Sequence, residues 1–143
     1  MRRLSLTQTP IFFEFLKRYI KFMGYKNIFD FDMEKELFLT GYCRCKQKDC
    51  ATVYLKRIQE WEEEYQTVNI VSTKKGIILI HIEENGFMEF EALEYKKYPY
   101  QTEIIKVFQG KKSTLTQKDI LKLDQYFDNL ELECMNTIVV DLE

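Results

Sequence analysis

Three of the chain's four cysteines, Cys43, Cys45 and Cys50, fall within eight positions of the stretch GYCRCKQKDCATVYL, Gly41 to Leu55. Thiols that close together can hold a metal ion, exchange disulfides, or pack the tip of a hairpin. Structural zinc takes four N or S ligands, usually paired on a C-x₂₋₄-C knuckle. Here the spacings are C-x-C and C-x₄-C. On an extended segment Cys43 and Cys45 share a face, because strand side chains alternate, and Cys50 can face Cys45 across the turn. A zinc site would then need a distant fourth ligand: Cys134, with His81 as the alternative. The competing expectation is that these thiols are small, partly buried hydrophobes. Arg44, Lys46 and Lys48 beside them favour thiolate character, and Cys45 and Cys50 are the pair expected to cross-link first. No cofactor is required by the sequence, and zinc is the one the thiols suggest.

Catalytic equipment is scarce. His81, the only histidine, lies in an apolar run, where a hydrogen-bonded core residue is the expectation over a general base. A Cys/His nucleophilic pair can be drawn, but no orienting carboxylate or oxyanion loop stands at a recognisable spacing. The five scattered glycines form neither a dinucleotide-binding pattern nor a P-loop. A non-catalytic protein is therefore expected.

Acidic residues offer more. Glu60, Glu62, Glu63 and Glu64 form one run, bracketed by Trp61 and Tyr65, and Glu83-Glu84 form a second group near Glu89 and Glu91. Such runs are either solvated faces or patches that steer a basic partner. Under the second reading Glu60, Trp61, Glu62, Glu63, Glu64, Glu83 and Glu84 form the partner-binding surface, with Trp61 as an aromatic anchor.

The elements that must position these groups are readable from periodicity. Thr9-Pro10 opens a helix with Thr as N-cap. Its apolar stripe is Phe12, Phe15, Leu16, Tyr19, Phe22 and Met23, and Gly24 stops it. Segments 36–42 and 51–57 read as a hairpin around the cysteines, and 67–72 as a strand. Ile77 to Ile82, IILIHI, reads as a central strand covered on both faces. Asn85-Gly86 signals a hairpin into Phe87 to Tyr95, where Leu93 falls out of phase and calls for a bulge near Ala92. Residues 103–108 fit an edge strand or a short helix. Thr116 and Asp119 approximate a capping box for a helix ending near Asn129, and Asn136 to Leu142 reads as a last strand. Together these predict one α+β domain spanning residues 1–143, with a mainly antiparallel sheet of five or six strands flanked by an N-terminal and a C-terminal helix.

GYCRCKQKDCATVYL resembles the G-x-C-x-C-G-x-x-x-C-A-T pattern of a family of small, functionally uncharacterised bacterial proteins. Those proteins also carry a later segment similar to GIILIHIEENGFMEFEALEY, so the resemblance runs from Gly41 to Tyr95. The chain departs from the pattern at Lys46, where Gly is expected, so a looser turn is implied. Proteins of this type are similar to some immunity proteins encoded beside bacterial toxins. The resemblance implies a protein that neutralises a cognate toxin by occluding its active site, the partner being a basic toxin domain. The rival expectation is a zinc-stabilised adaptor built on the cysteine hairpin.

Composition bounds these readings. A chain of 143 residues, 45% hydrophobic and 15% aromatic, can bury a sizeable core. Its 21 basic and 23 acidic residues lack the basic excess of a nucleic-acid binder. Glu14, Lys17, Arg18 and Lys21 interrupt the N-terminal apolar run, so neither a secretory leader nor a membrane span is expected. The expected compartment is the cytoplasm, where thiols stay reduced.

Overall fold

The computed structural model describes residues 3–45 and 49–139. Among these, seven strands form one sheet in the order β1-β2-β3-β6-β5-β4-β7. They are β1 (Leu4–Ser5), β2 (Leu37–Tyr42), β3 (Val53–Arg57), β4 (Thr67–Thr73), β5 (Gly76–Ile82), β6 (Phe87–Leu93) and β7 (Leu132–Val139). Every neighbouring pair is antiparallel. Four α-helices accompany the sheet: α1 (Pro10–Met23), α2 (Met33–Glu36), α3 (Gln101–Phe108) and α4 (Gln117–Phe127). The expected α+β class and antiparallel sheet hold. The strand count rises because β1, two residues long, carries no periodicity to read. Segment 103–108 is helical, and the C-terminal strand begins earlier than expected, at Leu132; positions 140–142 of the expected strand lie outside the described residues.

Helix α1 buries Ile11, Phe12, Phe15, Leu16, Tyr19 and Ile20, and Gly24 ends it in a left-handed conformation. Phe22, expected on that stripe, lies at its rim in the last turn and is 40% exposed. The N-terminus of α1 is capped in an unexpected way. Thr9 occupies the N-cap position, but its hydroxyl donates to the Leu6 carbonyl. The acceptor for the orphan amides is the buried carboxylate of Glu103, on α3. The amides of Ile11 and Phe12 donate to its two oxygens at 2.9 and 2.8 Å, and the Ser113 hydroxyl donates at 2.6 Å. A carboxylate at a helix N-terminus satisfies free N–H groups and opposes the helix dipole, so α3 is tied to α1.

The sheet has two unlike faces. Leu37, Leu39, Val53, Leu55, Met88, Phe90, Ala92, Ile78, Ile80 and Ile82 point inward and share one core with the buried residues of α1, α3 and α4. Phe90 meets Phe12 and Tyr19 edge-on, with ring centroids 5.7 and 5.5 Å apart, a geometry worth about 0.5–1.5 kcal/mol per pair beyond burial. On the other face Val68, Ile70, Ile77, Leu79, His81, Glu89, Glu91 and Leu93 are half-buried. Among the described residues, helices therefore cover IILIHI on one side only.

Local geometry corrects a second expectation. Strand β6 pairs with β5 in unbroken register from Met88 to Leu93, so there is no bulge near Ala92. Ala92 points into the core and Leu93 onto the open face, which restores the alternation without an extra residue. The irregularity falls instead in β2, between Leu39 and Gly41. Asn85 and Gly86 both take positive φ, 61° and 80°, within the turn of the expected hairpin, whose last cross-strand pair is Ile82 and Met88. Thr116 accepts from the Asp119 amide and completes the expected capping box of α4. At the other end of α4, Lys75 reaches from the β4–β5 turn to the carbonyls of Gln125 and Tyr126, at 2.6 and 2.7 Å. Among the described residues no helix is long and apolar enough to cross a membrane.

Candidate functional site

Two candidate regions lie at opposite ends of β3. At its N-terminal end the ladder of β2 and β3 continues through the Cys43 amide, which donates to the Thr52 carbonyl at 3.0 Å. This brings Cys43, Cys45 and Cys50 together, with all three Sγ atoms within 4.8 Å of one another. Cys50 is buried, Cys43 half-buried and Cys45 exposed. The approach to α3 holds the segment: the Tyr100 hydroxyl donates to the Ala51 carbonyl at 2.6 Å, and the Gln101 side-chain amide donates to the Cys50 carbonyl at 2.9 Å. The three sulfurs line a cavity of about 350 Å³ together with Arg44, Tyr100 and Ile104.

The distant ligands expected for a zinc site do not join this group. Cys134 sits on β7 opposite Ser72, at the far edge of the sheet, and is exposed. His81 sits on β5, in a different cluster. The strand order keeps them apart: β6, β5 and β4 stand between β3 and Cys134 on β7, and β6 stands between β3 and His81 on β5. The expectation of low-pKa thiols also needs correction at Cys50. Burial pushes its thiol up, and the neighbouring Cys45 and Cys43 push it further against the lowering effect of Thr52. Beside it, burial and the Cys43 sulfur raise Tyr54 to about 12.

The acidic region lies at the C-terminal end of β3. Trp61 is only 2% exposed, so it is not the surface anchor expected of it. Its ring packs edge-on against Phe29 and Phe31, at 5.6 and 5.4 Å, and its indole N–H donates to the Gly86 carbonyl at 3.1 Å. That bond pins the segment bearing Glu60, Glu62, Glu63 and Glu64 to the β5–β6 turn bearing Glu83 and Glu84. Gly86 is required for the approach, since a Cβ there would collide with the Arg57 carbonyl oxygen. Arg57 is spoken for: it pairs with Glu36 at 3.3 Å and stacks on Phe31. Among the described residues none of Glu60, Glu62, Glu63, Glu64, Glu83 or Glu84 forms an ion pair. Glu64 is held above the ordinary carboxylate range by its hydrogen bond with Glu62, a sign of crowded negative charge.

Sequence reasoning missed two features around this end. Ile58 and Phe87 are exposed, at 60% and 42%, and Phe87 borders the acidic turn, its carbonyl accepting from the Glu83 amide at 3.0 Å. Ile58 directly follows β3, and nothing in its local pattern distinguishes it from a buried isoleucine. The second feature is on the open face, where His81, Glu89 and Glu91 converge with their ligand-type atoms within 4.8 Å of one another. His81 Nε2 stands 3.6 Å from Glu91 and makes no hydrogen bond, so the expectation of a satisfied core histidine is not met. Glu89 is pushed up to about 7 by burial, by its hydrogen bond with Glu91, and by the charges of Glu91 and Glu83. The register foretells this cluster, since His81 pairs with Glu89 and Leu79 with Glu91, but register is not visible in composition.

Comparison with known proteins adds nothing to this geometry. No family model, no curated protein and no solved structure matches the chain.

Proposed function

We propose that the protein is a non-catalytic binding protein that presents the acidic end of its sheet to a basic protein partner. The observation that carries this reading is the bond from Trp61 to Gly86. It joins two acidic groups distant in sequence into one surface whose carboxylates have no internal counter-ions among the described residues. Uncompensated charge of one sign steers a partner of the opposite sign and selects against wrong ones. Ile58 and Phe87 supply exposed apolar area beside it, the combination of apolar anchor and charged rim found in protein interfaces. Lys56, with its ammonium 4.9 Å from the Phe87 ring centroid, borders the patch.

The partner we infer is a bacterial toxin domain, on the resemblance of the Gly41–Tyr95 segment to proteins similar to immunity proteins. The chain would neutralise it by covering a basic active site. The test is co-expression and co-purification with the protein of the adjacent reading frame. A complex is expected whose affinity falls about tenfold or more on reversing Glu62, Glu63 and Glu64 to Lys, with a shallower salt dependence. A reversed variant that binds equally tightly, with unchanged salt dependence, would remove the acidic patch from the interface. Growth arrest unrelieved by co-expression would remove the immunity reading.

A further inference from the structure

We propose that Cys43, Cys45 and Cys50 bind one zinc ion as three thiolates, leaving a fourth position open to the adjoining cavity, held by water and exchangeable for a small thiol. The proposal rests on the thiol geometry and is independent of the acidic surface, which lies at the other end of β3. Three sulfurs within 4.8 Å of one another are close enough to share one ion at Zn–S distances of about 2.3 Å. Among the described residues no other Cys, His, Asp or Glu joins the group, and positions 46–48 are Lys, Gln and Lys. A tetrahedral ion held by three protein ligands keeps its fourth position for water or an incoming ligand.

The surroundings fit that arrangement. The cavity of about 350 Å³ is many times the ~30 Å³ share of a water, so it admits a small thiol beside the ion. Zinc binding replaces three S–H protons by three Zn–S bonds and releases the protons to solvent, with no oxidant needed. The resulting centre carries one net negative charge, and Arg44 lines the same cavity to offset it. The site is also preorganised, since Tyr100 and Gln101 fix the backbone of Ala51 and Cys50 from outside the loop.

The experiment is titration of the protein, kept reduced with a phosphine, using Co²⁺ as the probe and then Zn²⁺. About one cobalt per chain should bind with a thiolate charge-transfer band, release up to about three protons, and be displaced by equimolar zinc. Cys43→Ser, Cys45→Ser and Cys50→Ser should each abolish the band, while Cys134→Ser keeps it. Cys45 is exposed, so its variant keeps the test valid if Cys50→Ser does not fold. Adding 2-mercaptoethanol to the cobalt form should shift the ligand-field bands. The proposal is overturned by absence of the charge-transfer band, by its survival in Cys45→Ser, or by its loss in Cys134→Ser. Ligand-field bands indifferent to the thiol would close the fourth position and overturn the open site.

Discussion

The two ends of β3 assemble their chemistry by different routes. At the cysteine end the reactive groups are neighbours in sequence, and the hairpin needs only to keep them together. At the acidic end the groups come from two separate segments, and one side chain joins them, Trp61 and Gly86 lying 25 positions apart. Only five residues of strand separate the two regions, about 16 Å at the rise of an extended chain. A local cluster survives small changes elsewhere, whereas a composite surface depends on the contact that holds its halves in register.

The sharpest way to break this contrast is Gly86→Ala. The substitution meets both a positive φ and the Arg57 carbonyl, and should cost on the order of 3 kcal/mol in chemical denaturation. Partner binding should fall with it, while cobalt binding by the cysteines of the folded fraction stays intact. Parallel loss of both would mean that the two ends are not separable. Tyr100→Phe makes the converse test. It removes the hydroxyl that donates to the Ala51 carbonyl at 2.6 Å, for a cost of about 1–2 kcal/mol. Cobalt affinity should drop several-fold with partner binding unchanged; unaltered metal affinity would show that α3 does not organise the cysteine loop.

The smallest effect concerns how far the acidity spreads onto the open face. Glu89 holds its proton to about pH 7 in the folded chain, against an ordinary value of 4.5. The unfolded chain therefore releases that proton first, and the native state loses stability as pH rises from about 4.5 through 7. Glu89→Gln removes the penalty. Its melting temperature should exceed that of the parent by about 1–2 °C at pH 8, with the gain vanishing toward pH 4. A gain independent of pH would mean that packing, and not proton sharing with Glu91, sets the difference.

Much of the architecture is legible in the chain because it is local. The period of α1, the Gly24 stop, the Thr116–Asp119 capping box and the Asn85-Gly86 turn each follow from residues within one or two turns of each other. The errors share a cause. A bulge near Ala92 follows from which residues are apolar, whereas the observed register follows from which face is covered. Ala92 is apolar and inward, whereas Leu93 is apolar on a face that no described helix covers. Trp61 sits among glutamates, a surface pattern along the chain, yet its ring packs inward against Phe29 and Phe31. Thr9 does stand at the N-cap of α1, yet the Phe12 amide donates to a carboxylate 91 positions away instead of to the Thr9 hydroxyl.

The sequence by itself determined the antiparallel α+β class, the thiol cluster and the acidic segments, because spacing along the chain fixes period, turn and local charge. Which acidic segments meet, where Cys134 and His81 fall, and which face of the sheet stays open were decided only by the tertiary structure. Those depend on strand order and on single long-range contacts such as Trp61 to Gly86 and Glu103 to α1. Such contacts leave no periodic trace, since one buried hydrogen bond constrains two positions and says nothing of those between them.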